Sequence, residues 1–568
     1  MRSIAAPSTV SDGPSAIRLA AAPWTDKAPA SNLGTWPDAS SALWEGRMTG
    51  STLWDLVAWR AARSPGATAL VQGAASARHE RRITFGALHE RAERVAAGLY
   101  ERGVRPGTRV VWQLPTRIET VLLSLALARI GAVQSPVVPL YRDHEVGQVL
   151  RRTGAAFLAV PGVLRGFDHG AMARRLAARL AGPLTVLDAY GTLPDADPAV
   201  LPPPPADADE VRWIYWTSGT TAGPKGVLHT DHSLRTAGRT LGEALRPRPS
   251  DVGSMAFPYA HVAGPDYTVL LLLHGIPAVL LEHFALPGSL PAYRRHRVTI
   301  AGGSTAFYSL FLGEQRTLPP GRRLLPSLRL LAGGGAPRPP ALHHEVVAAL
   351  GCRLAHGYAL TEAPMVTMGD PDDSPELLAT TDGRPPAGMD IRIAPGTGEI
   401  SVRGPAVCRG YLDEPSPFDA DGFLPTGDLG RLTPTGHLVV TGRLKDIIIR
   451  KGENISAQEI EELLHRHPGV ADAAVIGLPD DRRGERVCAV VEQPPGAAAL
   501  TLDEVRSHLL AQGLAPHKLP ERLELPAALP RGATLGKVLK RELRERYGAG
   551  RGDGGAPPGQ APEEATPG

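Results

Sequence analysis

Cysteine, lysine and long apolar runs are all scarce in this 568-residue chain. Its three cysteines, Cys352, Cys408 and Cys488, lie far apart, and no Cys-x-x-Cys pair occurs. Zinc-ligand spacing is therefore excluded, and a disulfide framework does not suit a chain of this size, so a reduced, cytoplasmic setting is expected. No continuous apolar run follows Arg2, which speaks against a secretory signal. The most apolar stretch, residues 269–281, contains His274, Gly275 and Pro277 and is far shorter than the ~20 residues that cross a membrane. It reads as a buried strand–turn–strand. An excess of one charge is lacking too. The chain has 61 Lys and Arg against 58 Asp and Glu, a net +3 with no electrostatic footprint for nucleic acid or an acidic membrane.

Only seven of the basic residues are lysines: Lys27, Lys225, Lys445, Lys451, Lys518, Lys537 and Lys540. Where arginine carries the generic positive charge, a lysine marks a place where a compact point charge serves better than a planar fork. What the chain does have is apolar bulk, 43% of residues, which is enough for large cores. Its length suggests roughly two to four domains.

Helical and strand patterns alternate through most of the chain. Residues 83–102 and 119–130 have helical spacing. Residues 110–114, 133–138 and 211–216 read as strands, with Pro136 expected to place the second at an edge or a bulge. This rhythm predicts an α/β fold: a large N-terminal domain of stacked, mainly parallel sheets with helices. The last hundred residues read as a second, small α/β unit. In it Ser456 with Glu459 and Thr501 with Glu504 form capping boxes, and residues 470–478 and 486–492 form strands. The boundary falls near residues 442–446, after a hairpin of 428–432 and 438–441 turned at Thr435 and Gly436. The expected division is a flexible arm at 1–45, a large domain at 46–442, a hinge at 443–446, a small mobile domain at 447–547 and a disordered tail at 548–568.

Thr217, Ser218, Gly219, Thr220, Thr221, Ala222, Gly223, Pro224, Lys225 and Gly226 directly follow the strand that ends at Trp216. Four hydroxyls, three glycines and a lysine can surround a polyphosphate with backbone N–H groups and side-chain donors. The spacing is not that of a Walker loop, because Gly226 follows Lys225 where Ser or Thr is required. Further along stand Gly333, Gly334, Gly335, Ala336 and Pro337, then the run Gly357, Tyr358, Ala359, Leu360, Thr361, Glu362. The segments Thr426-Gly-Asp428, Gly442-Arg-Leu-Lys-Asp446, Lys451-Gly452 and Pro530-Arg through Gly536-Lys537 complete the set.

In type and order these motifs resemble those of the acyl-adenylate-forming superfamily, over roughly residues 50–547. The resemblance implies an ATP-dependent ligase with Mg²⁺ and, as co-substrate, coenzyme A. Thr217 to Thr221 and Lys225 would hold the triphosphate, and Gly334 to Pro337 would form the adenine-side turn. Tyr358 would offer a face to adenine, Thr361 a hydroxyl to the α-phosphate, and Glu362 a hard oxygen to Mg²⁺. Asp428 and Arg443 would take the ribose, Lys445 would be the hinge, Lys451 and Gly452 would line the pantetheine tunnel, and Lys537 would be the catalytic lysine beside Lys225. His261, Val262, Gly264, Gly303 and Ser304 would line the acid site. Ala222 and Ala359 replace two of the family's usual glycines.

The sequence around residues 131–168, with Ala222, looks like the medium-chain and cyclohexanecarboxylate type of CoA ligase. The aspartate of amino-acid-activating relatives is missing from its usual place, since the first in this region is Asp266, so an amino acid substrate is disfavoured. The implied partners are a small carboxylic acid, ATP and CoA. A carrier protein's phosphopantetheine is the alternative acceptor, and a non-catalytic nucleotide-binding relative is the alternative of another class.

Overall fold

The computed structural model describes residues 51–548, apart from 218–223, 287, 337, 451–452, 481–483, 515 and 533–536. The expected arm, and all but the first residue of the expected tail, lie outside them. A six-stranded sheet runs in the order Lys225–Thr230, Val211–Thr217, Val133–Pro136, Arg109–Trp112, Phe157–Val160, Thr185–Asp188. All its pairings are parallel except the first. A four-stranded sheet joins Gly253–Met255, Ala278–Leu280 and Thr68–Gln72 in parallel, with Arg81–Thr84 antiparallel at one edge.

The helix Ile118–Ile130 touches Thr68–Gln72 of one sheet and Val133–Pro136 of the other, and every residue in it is buried. It therefore shows no polar face, as expected of a helix lying between two sheets. Its buried Glu119 is held by Arg81 and Arg117, which offset the cost of burying a carboxylate.

Two expectations are corrected here. Residues 269–281 do not form a strand–turn–strand. They are the end of a helix, Ala263–His274, then Gly275 and the strand Ala278–Leu280. Gly275 stops the helix at φ 68°, a left-handed conformation that glycine adopts without Cβ penalty. The helix is buried from Gly264 to Leu272, so its apolar residues surround it and no 3.6-residue period survives in the sequence. Pro136 likewise does not put its strand at an edge. The strand is interior but ends at Pro136, and its pairing with Val211–Thr217 is confined to Gln134 opposite Trp213. The missing proline N–H thus costs no bond in the middle of a ladder.

A third sheet, Ile300–Gly303, Leu330–Gly334 and Arg353–Gly357, is wholly parallel. An antiparallel sheet of Asp390–Ile393, Glu399–Arg403, Leu424–Leu432 and Leu438–Arg443 follows, turned at Gly436 as expected. After it comes a mostly antiparallel sheet of residues 447–524.

Strand Gly484–Glu492 of this last sheet sends alternate side chains to opposite faces. Val487, Ala489 and Val491 pack with Ile460 and Leu509 from helices Ala457–Leu464 and Leu502–Ala511. Cys488 and Val490 pack with Leu543 of helix Lys540–Gly548. Thr501 and Glu504 form the full reciprocal cap. Ser456 accepts from the Glu459 N–H, but the Glu459 side chain turns instead to Lys518. Among the described residues no helix is long and apolar enough to cross a membrane.

Candidate active site

The parallel three-stranded sheet ends in glycine on every strand: Gly303, Gly334 and Gly357. A Cβ on Gly333 would stand 2.2 Å from the carbonyl oxygen of Gly303, and one on Gly334 would stand 2.3 Å from that of Gly357. No larger residue fits. The carboxyl ends of parallel strands are where open α/β sheets bind ligands, and bare backbone there admits a flat ring closely. Beyond them Gly335 takes φ 81°, while the Ala336 carbonyl accepts from the Thr305 hydroxyl.

Thr217 and Lys225 face each other across the hairpin of the six-stranded sheet. Between them Ser218, Gly219, Thr220, Thr221 and the Ala222 departure lie outside the described residues, as do Pro337, Lys451 and Gly452. A cavity of about 610 Å³ brings together Thr217, Lys225, Gly303, Gly334, Gly335, Gly357, Thr361, Glu362, Arg443 and Lys537.

Asp428 stands directly behind this wall, 3% exposed. It accepts from the Tyr358 hydroxyl at 2.5 Å and from Arg443 through Nε and Nη2. Asp428 and Arg443 oppose each other on adjacent strands, so the ladder itself sets their pairing. Burial, then the Asp428 charge, holds the Tyr358 phenol well above its usual range, so the phenol stays a donor.

Glu362 accepts from the Tyr411 hydroxyl at 3.0 Å. The face of that same ring lies 4.6 Å from the Lys225 ammonium, which also donates to Glu414 at 2.9 Å. Tyr411 thereby couples a cation to a carboxylate. Lys537 is an exposed residue that also lines the cavity. Burial of its ammonium, with Arg443 close by, lowers its pKa, while Asp428 opposes that shift.

A single carboxylate with no second acidic ligand suits Mg²⁺, which takes few protein oxygens and completes its shell with phosphate and water. Glu362 fits that role. Among the described residues no cluster of three acidic, His or Cys side chains exists to hold a metal by itself. Lys445 lies in the single turn Leu444–Asp446, directly after strand Leu438–Arg443.

The other end of the cavity is lined by His261, Val262, Ala263, Asp266 and Tyr267, at the start of helix Ala263–His274, and by Tyr215, Leu241 and Leu245. Burial lowers the His261 pKa to about 4, so it is a neutral imidazole, and its Nδ1 accepts from the Ala263 N–H. Gly264 and Ser304 are not part of this lining. A Cβ on Gly264 would meet the Tyr259 carbonyl oxygen at 2.2 Å, and Ser304 is fully buried ahead of helix Thr305–Arg316.

Sequence reasoning passed over Tyr411, Glu414 and His229. The His229 Nε2 donates to the Thr361 carbonyl at 2.7 Å, and its Nδ1 accepts from Ser233. The imidazole thus fixes the backbone that carries Thr361 and Glu362. Burial lowers its pKa to about 4. No spacing reveals this contact, since His229 and Thr361 are 132 residues apart.

The family model for AMP-binding enzymes matches residues 57–412, and that for the AMP-binding enzyme C-terminal domain matches residues 459–537. The chain is 34% identical to a 2-hydroxy-7-methoxy-5-methyl-1-naphthoate–CoA ligase of Streptomyces carzinostaticus, over 90% of this chain and 96% of that protein. It is also 34% identical to a salicyl-AMP ligase / salicyl-S-ArCP synthetase of Mycobacterium tuberculosis, over 83% and 86%. Among solved structures, o-succinylbenzoate CoA synthetase of Bacillus subtilis in complex with its acyl-adenylate superposes with a TM-score of 0.75 at 26% identity, covering 88% of this chain and 99% of that one.

Proposed function

This chain belongs to the AMP-binding enzyme family, and because its relatives include proteins named as a CoA ligase and as a salicyl-S-ArCP synthetase, we propose that it is a carboxylic acid–CoA ligase. Its acid would be of medium-chain or alicyclic size, and a cytoplasmic setting suits its three free, buried cysteines. The observation that carries the reading is the convergence of Arg443, Lys537, Glu362 and the glycine strand ends on one cavity that is also lined by apolar Val262, Leu241 and Leu245.

The substrate carboxylate attacks the α-phosphorus of ATP. The bond to the bridging oxygen breaks and pyrophosphate leaves with that electron pair. Such a step needs positioning and charge stabilisation more than covalent help. Lys537 neutralises the approaching carboxylate and the α-phosphate, while Lys225 and the Thr217 loop hold the departing phosphates. Asp428 accepts the ribose hydroxyls, with Tyr358 and Arg443 keeping its oxygens aimed. Glu362 would hold Mg²⁺, which when bound would neutralise charge on the phosphates.

In the second half-reaction the thiolate sulfur attacks the acyl carbonyl and AMP leaves. For this the small domain, residues 447–547, rotates about Lys445 and brings Lys451 and Gly452 to the thiol arm. A carrier protein remains the alternative acceptor, because the chain is equally similar to a ligase named for a carrier-bound product. The test is a panel of aliphatic, alicyclic and aromatic acids with Mg-ATP, with and without free CoA. Acid-dependent AMP and acyl-CoA support the reading. Acyl-AMP that never passes to CoA favours the carrier, and no acid-dependent AMP overturns ligase activity altogether.

A further inference from the structure

Among the described residues, four that line the cavity carry a buried polar atom without a partner: the hydroxyls of Tyr215, Ser254 and Tyr267 and the Oδ1 of Asp266. Asp266, 4% exposed, faces the cavity, and its Oδ1 has no hydrogen-bond partner. The Tyr215 hydroxyl, on strand Val211–Thr217, is buried and equally unpartnered, and its residue lines the same cavity. Among the charges acting on that hydroxyl Asp266 is the strongest, and both residues line the same cavity. Native interiors leave few polar groups unpaired, and those that remain need a reason. The same cavity is also lined by apolar Val138, Leu241, Leu245 and Met365.

The position is separate from the reacting centre. The charges that act most on Lys537 are Arg443, Asp428, Asp446 and Lys540. On helix Ala263–His274 Asp266 lies a turn beyond Val262 and Ala263, with Tyr267 beside it on the cavity face. Burial, with no neighbouring cation to offset it, pushes the Asp266 carboxyl far above its usual range, so at neutral pH it is a hydroxyl-bearing acid group that donates and accepts.

We propose that Asp266 and Tyr215 form a specificity subsite for an acid that carries a hydroxyl remote from its carboxylate. This rests on the reading of the cavity as an acyl site and narrows it: the acid is a hydroxylated ring or chain rather than a plain hydrocarbon. A neutral carboxyl and a phenol together complement a hydroxyl, which both donates and accepts. An ammonium would instead require an ionised carboxylate in apolar surroundings, with two desolvation penalties. A site built to hydrogen-bond a substrate hydroxyl discriminates strongly against the analogue that lacks it, because its own groups are then left unpaired.

The experiment compares matched acids by kcat/KM for AMP release from the full chain with Mg-ATP: cyclohexanecarboxylate with its 3- and 4-hydroxy derivatives, benzoate with 3- and 4-hydroxybenzoate, octanoate with 8-hydroxyoctanoate, and an amine-bearing counterpart of each. At least one hydroxy acid should exceed its parent by about 100-fold or more. Asp266→Leu should abolish or invert that preference, and Asp266→Asn, which still donates and accepts, should keep most of it. Tyr215→Phe should reduce it without disturbing the helix, so the test stands even if Asp266→Leu does not fold. Parent acids winning every pair, a hydroxyl preference unchanged in Asp266→Leu and Tyr215→Phe, or the amine-bearing acid winning would each overturn the proposal. Failure of all acids to release AMP would overturn the ligase reading instead.

Discussion

Asp428 has a structural role on which the proposed ribose-binding role is superimposed, and replacing it with alanine separates the two. The carboxylate holds the buried Tyr358 hydroxyl at 2.5 Å and two nitrogens of Arg443. Losing a hydrogen bond to a charged acceptor costs about 1.5–3 kcal/mol, and stranding a buried hydroxyl belongs to the same range. The Arg443 side chain is 47% exposed, so its pair adds about 1 kcal/mol at most. Asp428→Ala should therefore destabilise the fold by about 2–4 kcal/mol, and Tyr358→Phe, which leaves the ion pair intact, by about 1–2 kcal/mol.

Two ribose hydroxyls on the same carboxylate add a second loss. Because Tyr358 and Arg443 already occupy its oxygens, the net exchange on binding is roughly 2–4 kcal/mol, or about 30- to 1000-fold in ATP affinity. Urea unfolding reads the first effect, and calorimetric titration of Mg-ATP into folded protein reads the second. If Asp428→Ala loses the expected stability but binds ATP within about threefold of wild type, the carboxylate is scaffolding and the ribose assignment is wrong.

Lys537→Ala should slow acid-dependent pyrophosphate exchange by about 10²–10³, the usual consequence of removing one preorganised donor. CoA transfer from synthetic acyl-AMP should be spared. Lys445→Pro should spare the exchange and suppress the transfer. Loss of the same half-reaction in both variants contradicts the two-conformation scheme. Native His229, with its pKa lowered to about 4, stays neutral where an unfolded histidine, near 6.5, takes a proton. Its contribution to stability is whole above pH 6.5 and is lost as pH falls towards 4. His229→Gln should therefore flatten the rise of unfolding free energy with pH across that window by about 1.4 kcal/mol per unit. Parallel wild-type and variant curves refute the assignment.

The glycines, Thr361, Glu362, Arg443 and Lys537, which line one cavity, and Asp428, which opposes Arg443, all stand in short motifs that the sequence displays in order. The capped helices and the hairpin at Gly436 were legible because capping and turn chemistry are local. Helix Ala263–His274 was not, because a helix buried on almost all sides carries no amphipathic period. Asp266 sat in plain view in that helix, but only packing shows that it faces the cavity without a partner. His229, Tyr411 and Glu414 serve the site through contacts as distant as 132 and 189 residues in sequence, which no single-chain spacing encodes. The loop between Thr217 and Pro224, with its Ala222 departure, lies outside the described residues.

The proposed reaction joins a carboxylate to AMP in the cavity shared by Arg443, Glu362 and Lys537. The most direct test incubates the protein with Mg-ATP and the acid panel in the absence of any thiol, then resolves the bound products by mass spectrometry. The expected products are an acyl-adenylate and one equivalent of pyrophosphate, both strongly reduced in Lys537→Ala. ADP and inorganic phosphate as the products, or ATP cleavage that does not depend on the acid, would contradict it.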